Sequence, residues 1–213
     1  MKEKKLSKFS VPLGLLDYVN PILYTITMIE LFRHWYPQMQ PSYGILFLIG
    51  TGISVFFGLL IPTGKVLVGL NVIKFRMPVT LVFCVNAGIL LSGLMLFQSV
   101  MSIRPSVLIF LILVIIASLV FLYHQTKKIN TIAVLTGAAG YLLTYVSLIT
   151  LSACRNMVFP IVLYAVAILL FIMLCGIGIK ADLKNPKVHW VIEASNILCQ
   201  LFVAVGTILL FHS

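Results

Sequence analysis

The chain alternates between long apolar stretches and short polar connections. Seven stretches are long enough to cross a bilayer as helices, because a hydrocarbon core of about 30 Å needs roughly 20 apolar residues of helix. They run approximately over residues 11–32, 43–62, 77–100, 105–123, 129–153, 157–179 and 190–211. The pattern predicts an all-α integral membrane protein: a bundle of seven transmembrane helices that forms one polytopic domain over residues 1–213, with no soluble domain.

Prolines stand where these helices are expected to begin. Pro12, Pro105 and Pro186 fall near a first helical turn, where the missing N–H is harmless. The pair Asn20-Pro21 lies further inside the first helix, and a proline there removes a backbone hydrogen bond. The sequence therefore predicts a kink at Asn20-Pro21.

The stretch 63–76 is the least certain boundary, because it can be interpreted in two ways. It could extend the second helix past Pro62, or it could lie on the membrane surface as a basic amphipathic segment. We favour the surface segment, in which Lys65, Lys74 and Arg76 reach anionic head groups.

Composition agrees with a membrane location. Hydrophobic residues make up 61% of the chain and charged residues 9%, and the mean hydropathy is +1.14. Soluble domains carry roughly 45–50% apolar and 25% charged residues. A soluble globule, a disordered chain, a coiled coil and a nucleic-acid-binding domain are thereby excluded, and no nucleic-acid partner is expected.

The net charge of +10 is concentrated in alternate connections. The basic residues of one set are Lys2, Lys4, Lys5, Lys8, Lys65, Lys74, Arg76, Lys127, Lys128, Lys180, Lys184 and Lys187, and those of the other set are Arg33, Arg104 and Arg155. Cytoplasmic loops carry the excess of Lys and Arg, so the N-terminus is predicted inside and the C-terminus outside. The expected location is the plasma or inner membrane, with anionic head groups on the cytoplasmic face.

Cysteine and histidine give no metal or redox motif. The four cysteines form no CxxC pair, and a buried cysteine usually acts as a small apolar residue. His34, His124, His189 and His212 all fall near helix ends, and no two of them are expected to face each other at one depth. We predict no metal site, no cofactor and no catalytic residue.

Small residues recur every four positions on three of the predicted helices. Helices in lipid associate through such close-contact stripes. The predicted packing residues are Gly50, Ser54, Gly58, Gly88, Ser92 and Gly140.

Ionisable residues inside a span are costly and usually face the bundle interior or a water-filled cavity. Glu30 is one turn from Arg33, so a local ion pair explains it. Asp17 and Glu193 are each followed by an asparagine three residues later, which places each pair on one helix face.

These polar stripes predict a pocket that opens toward the cytoplasm. Its proposed members are Asp17, Asn20, Tyr24, Asn86, Glu193, Asn196 and Gln200. The alternative is that the acids cap helix N-termini or meet the surface lysines Lys8 and Lys187, and that the asparagines only join helices.

Three functions follow from these alternatives. A small transporter or channel-like protein would bind a solute or ion in the pocket, with Asp17 or Glu193 carrying a coupling proton. A noncatalytic subunit of a membrane complex needs no pocket and would pack against a partner protein or a second copy of the chain. An intramembrane enzyme acting on a lipid or quinone is the weakest hypothesis, because only Asp17 and Glu193 could serve as an acid–base pair.

Overall fold

The computed structural model describes residues 11–73, 79–126, 129–180 and 186–213. Within these ranges the side chains of residues 79, 110, 111, 117, 119, 121, 122, 124–126, 129, 130, 177–180 and 186–189 are not described. The α-helices are α1 (Val11–Leu16), α2 (Val19–His34), α3 (Pro41–Gly69), α4 (Val79–Met101), α5 (Pro105–Thr126), α6 (Ile129–Cys154), α7 (Val158–Lys180) and α8 (Pro186–His212). A short 3-10 helix, Tyr36–Gln38, follows α2.

Five helices are long and apolar enough to cross a membrane. The apolar segments are Pro41–Gly69, Thr80–Met101, Thr131–Cys154, Val158–Gly176 and Trp190–His212. The described part of the chain is therefore all-helical, and its apolar helices are those of a multi-pass membrane protein.

The helices form a ring. Along it α2 contacts α3, α3 contacts α4, α4 contacts α6, α6 contacts α7, α7 contacts α8, and α8 returns to α2. Helix α5 packs outside the ring on α6, and α1 packs on α3. The first and last long helices of the chain are thus neighbours, which brings distant polar residues together.

The first predicted span, 11–32, is divided into α1 and α2. The interruption falls at Asp17 and Tyr18, where the Tyr18 amide donates to the Leu15 carbonyl at 3.2 Å in a tightened turn. The cause is Pro21, because it has no N–H for the carbonyl four residues earlier. The break therefore lies one turn before the predicted kink at Asn20-Pro21, and Pro21 itself lies in the first turn of α2.

The prediction of a surface segment over 63–76 is wrong for its first half. Helix α3 continues through Pro62 and ends only at Gly69, so residues 63–69 extend the second predicted helix. Pro62 is buried within it. The continuation gives Lys65 two acidic partners inside the bundle, which head groups would not provide. Lys74 and Arg76 lie outside the described residues.

Most of the basic residues that support the predicted orientation lie outside the described residues. Besides Lys74 and Arg76, these are Lys2, Lys4, Lys5, Lys8, Lys127, Lys128 and Lys184. The side chains of Lys180 and Lys187 are not described. The orientation of the bundle stays a prediction.

Small residues lie at the closest helix contacts. A methyl group added at Gly50 of α3 would lie 2.7 Å from the Ser92 amide nitrogen of α4, and one added at Gly88 would lie 2.5 Å from the Ser54 hydroxyl. On the other side of α4, a methyl group added at Gly140 of α6 would lie 2.5 Å from the Leu90 amide nitrogen. One added at Gly58 would lie 3.4 Å from Pro21 Cβ of α2, which is an ordinary contact distance.

A layer of aromatic rings fills the middle of the ring of helices. Tyr24 of α2 meets Tyr141 of α6 edge-on, with 6.3 Å between centroids. Tyr141 continues to Tyr145 and to Phe171 of α7, at 5.9 and 5.4 Å. Among the described residues, Tyr24 and Tyr145 of this layer are buried.

Candidate functional site

Four polar side chains from three parts of the chain meet near the end of the bundle where α1 and α8 begin. Lys65 of α3 forms an ion pair with Asp17, and its Nζ lies 3.7 Å from Glu193 Oε1 of α8. The Asn20 amide donates to Glu193 Oε2 at 3.1 Å. We call Asp17, Asn20, Lys65 and Glu193 the acid–lysine cluster.

Glycine and the helix break together position this cluster. A methyl group on Gly14 would lie 2.9 Å from Val66 Cγ2 and 3.1 Å from the Val66 amide nitrogen. The backbones of α1 and α3 can therefore approach closely, and Asp17, three residues later on the same face, reaches Lys65. A hydrogen bond of 2.6 Å between the Tyr18 and Thr63 hydroxyls fixes the same contact.

The acid–lysine cluster is withdrawn from solvent. The side chains of Asp17, Lys65 and Glu193 are 5%, 14% and 16% exposed. Asp17 Oδ1 and Asn20 Oδ1 are buried without a hydrogen-bond partner among the described residues. With all groups ionised, the described residues of the cluster hold two negative charges and one positive charge. Asp17 Oδ1 can therefore still accept a proton, and the oxygens of Asp17 and Asn20 can each still contact a cation.

The structure brings together three of the seven predicted pocket residues: Asp17, Asn20 and Glu193. Tyr24 and Gln200 lie deeper, in the middle of the ring. The Tyr24 hydroxyl bonds to the Ser92 hydroxyl at 3.0 Å, and Gln200 is buried with its Nε2 unpaired among the described residues.

Asn86 and Asn196 have other surroundings. Asn86 packs against Gly137, where the missing side chain of the glycine leaves room on α6. Asn196 is half-buried on α8, one turn beyond Glu193. The structure therefore gives no contact that joins Asn86 to the acid–lysine cluster.

Lys65 is the residue that sequence reasoning missed. The sequence predicts it in a surface segment, whereas the extension of α3 carries it into the bundle. The signal for this position is the other interpretation of residues 63–76, a continuous helix through Pro62, which places a lysine within reach of acids on neighbouring helices.

A second polar group lies where α2 and α8 end. His212 Nε2 is 2.9 Å from Glu30 Oε2, and His34 Nε2 is 3.5 Å from the same oxygen. We call Glu30, His34 and His212 the histidine cluster. The Arg33 guanidinium is 4.0 Å from Glu30 Oε1, so the predicted local ion pair is the longest of these contacts.

The prediction that no two histidines face each other is wrong. The rings of His34 and His212 meet edge-on with 5.1 Å between centroids. The sequence places both near helix ends on the same predicted side, but the adjacency of α2 and α8 is a property of the fold. Among the described residues, Glu30, His34 and His212 form a group whose ligand atoms all lie within 4.8 Å of one another.

Comparisons with known proteins do not assign either cluster. Neither a family model, nor a curated protein, nor a solved structure matches the chain. The functional argument therefore depends on the geometry of this chain.

Proposed function

We propose that this protein is a small membrane carrier that couples the movement of a small solute or ion to a proton or cation held at the acid–lysine cluster. One observation carries the proposal. Asp17 and Glu193 share the Lys65 ammonium in a buried place, and one buried oxygen of Asp17 and one of Asn20 are unpaired among the described residues.

The charge balance supports exchange at this cluster. A buried charge without compensation is expensive, and intramembrane acids commonly mark ion or proton pathways. A proton or a small cation on the carboxylates would balance the described charges. When this proton or cation leaves, the Lys65 ammonium still compensates part of the negative charge of Asp17 and Glu193. The cluster can therefore release its ion without leaving both acids uncompensated.

The aromatic layer favours a carrier over an open channel. Tyr24, Tyr141 and Tyr145 occupy the interior between the two ends of the bundle, and their hydroxyls are buried with polar neighbours. A solute that crosses by this route requires the helices to move apart, as in alternating access.

The proposal includes seven spans with a cytoplasmic N-terminus. The two spans beyond the five apolar helices are α1 with α2, and α5. Helices α1 and α2 contain 6 and 16 residues and α5 contains 22. At 1.5 Å per residue, α1 and α2 together and α5 alone each correspond to about 33 Å of helix, which is enough for a hydrocarbon core of about 30 Å. The positive-inside bias supplies the orientation, and the acid–lysine cluster then faces the cytoplasm.

The proposal is tested in liposomes that contain the purified chain and a pH-sensitive dye. Imposed gradients of protons, Na⁺ or K⁺, with and without a panel of small amines, amino acids and organic anions, should give a proton or cation flux above that of protein-free liposomes. Asp17→Asn and Glu193→Gln should abolish it. Thr150→Val, which removes a hydroxyl that bonds to the Val146 carbonyl of its own helix at 3.0 Å and changes no charge, should retain it.

A noncatalytic subunit is the alternative, and one observation favours it. An open apolar groove between α3 and α4 is lined by Ile53, Phe57, Phe83, Cys84, Ala87, Gly88 and Leu91, and such a groove could accept a partner helix. Absence of flux under every gradient, together with a stoichiometric partner retained in mild detergent, would support this alternative and contradict the carrier.

A further inference from the structure

The histidine cluster has the composition of a transition-metal site. Two imidazoles and one carboxylate, with a fourth position left to water, form an established ligand set for Zn²⁺. Imidazole ligands also suit other first-row divalent ions. His34 and Glu30 lie four residues apart on α2, so they share one helix face, and His212 is supplied by α8.

The distances between the ligand atoms fit one ion. Tetrahedral Zn²⁺ with bonds of about 2.0–2.1 Å holds its ligand atoms about 3.3 Å apart. The observed separations from Glu30 Oε2 are 2.9 Å to His212 Nε2 and 3.5 Å to His34 Nε2. These two values lie on either side of the required one. All three ligand atoms lie within 4.8 Å of one another, so side-chain rotations that bring the two imidazole nitrogens to about 3.3 Å would allow one ion to bind all three.

Neighbouring groups hold the ligands in place. The His34 ring stacks on Phe211 with 4.9 Å between centroids and 14° between planes. The Arg155 guanidinium lies 4.9 Å from the Phe211 centroid and donates to the Leu210 carbonyl at 2.8 Å. Stacking on Phe211 therefore restricts the rotation of the His34 ring.

The electrostatics of the helix ends favour a cation here. His34 is the last residue of α2 and His212 is the last residue of α8, and the carbonyl end of a helix carries a partial negative charge. Arg33 opposes a cation only weakly, because its side chain is 66% exposed and lies 4.0 Å from Oε1 rather than Oε2. Glu30 can therefore bind a metal through Oε2 while Oε1 remains beside Arg33.

We propose that Glu30, His34 and His212 bind one divalent transition-metal ion of the Zn²⁺ type, which joins the ends of α2 and α8. The site is independent of the proposed carrier activity. His212 is the last residue of α8 and comes 19 positions after Glu193, which corresponds to about 28 Å of helix.

The test uses the full chain in detergent, purified with a tag that contains no histidine. Titration with Zn²⁺, and with Co²⁺ for its visible spectrum, should give one ion per chain and the absorption of a low-coordinate site with nitrogen and oxygen ligands. Glu30→Gln, His34→Phe and His212→Gln should each weaken binding about 100-fold or more, since loss even of outer contacts costs 10–100-fold. His34→Phe retains an aromatic ring against Phe211.

Two matched controls complete the test. Arg33→Ala removes a charge beside Glu30 but no ligand, and Cys154→Ser removes an exposed thiol at the end of α6; both should bind Zn²⁺ at least as well as wild type. His212 is 52% exposed, so His212→Gln should fold and decides the matter by itself. Binding that survives His212→Gln, binding lost in Cys154→Ser, or no one-to-one binding in wild type would each overturn the proposal.

Discussion

Removal of the lysine that both acids share should destabilise the bundle more than removal of all three charges. Lys65→Met keeps an unbranched side chain and leaves Asp17 and Glu193 buried together without their ammonium. Their side chains are 5% and 16% exposed and that of Lys65 is 14% exposed, so solvent compensates little. Loss of one partner from a buried ion pair typically costs about 3–5 kcal/mol, and we expect this range for the free energy of unfolding.

The triple variant Asp17→Asn, Lys65→Met, Glu193→Gln provides the matched comparison. Replacement of a complete buried ion group by neutral side chains is often neutral or stabilising. The triple variant should therefore be more stable than Lys65→Met alone, although it contains two additional substitutions. Lys65→Arg, which keeps the positive charge, should fall between wild type and Lys65→Met.

The free energy of unfolding is measured by denaturant titration of the full chain in bicelles, with helix content as the readout. An exposed ion pair contributes only about 0–1 kcal/mol. A cost below about 1 kcal/mol for Lys65→Met, or a triple variant that is less stable than the single one, would refute the argument. The acid–lysine cluster would then be a solvated group at the membrane surface.

The other predictions concern helix approach and topology. Gly14→Ala places a methyl group 2.9 Å from Val66 Cγ2 and 3.1 Å from a backbone nitrogen, so it should lower stability by about 1–3 kcal/mol. Gly52→Ala, with nothing within 4 Å, should not, and equal effects in denaturant titration would contradict the packing argument. Single cysteines introduced at positions 38 and 156, with the four native cysteines replaced, should be labelled by an impermeant thiol reagent from outside. Cysteines at 125 and 182 should be labelled only from inside, and the reverse pattern would exclude the proposed orientation.

The apolar helices could be predicted because length and hydropathy alone define a candidate span. The end of α3 could not be predicted with the same security. A lysine next to an apolar stretch can pair either with lipid head groups or with a buried acid. The residues next to it in sequence do not show which of the two partners it has. The acid that decides the matter, Asp17, is 48 residues away, so only the fold brings the two together.

The candidate pocket, too, could be predicted only in part. Spacing predicts Asp17 and Asn20 on one helix face, and both residues belong to the acid–lysine cluster although the helix is interrupted at Asp17 and Tyr18. Spacing does not say which neighbouring helix such a face meets. Asn86 comes seven residues after the first residue of α4, as Glu193 does after the first residue of α8, yet Asn86 packs against Gly137 because α6 lies beside α4. The pairing of Asn20 with Glu193 spans 173 residues and depends on the closure of the ring between α2 and α8.

This closure also suggests which helix a carrier would move. Helices α2 and α8 are joined near one end by Asn20 and Glu193 and near the other by Glu30 and His212, so they are expected to move as a unit. Helix α3 joins this unit through Lys65, whose ammonium faces Asp17 and Glu193. A proton or cation on either carboxylate would weaken its attraction to Lys65. In the proposed carrier, loading of the cluster would therefore weaken the contact that Lys65 makes with α8, while the contacts between α2 and α8 remain.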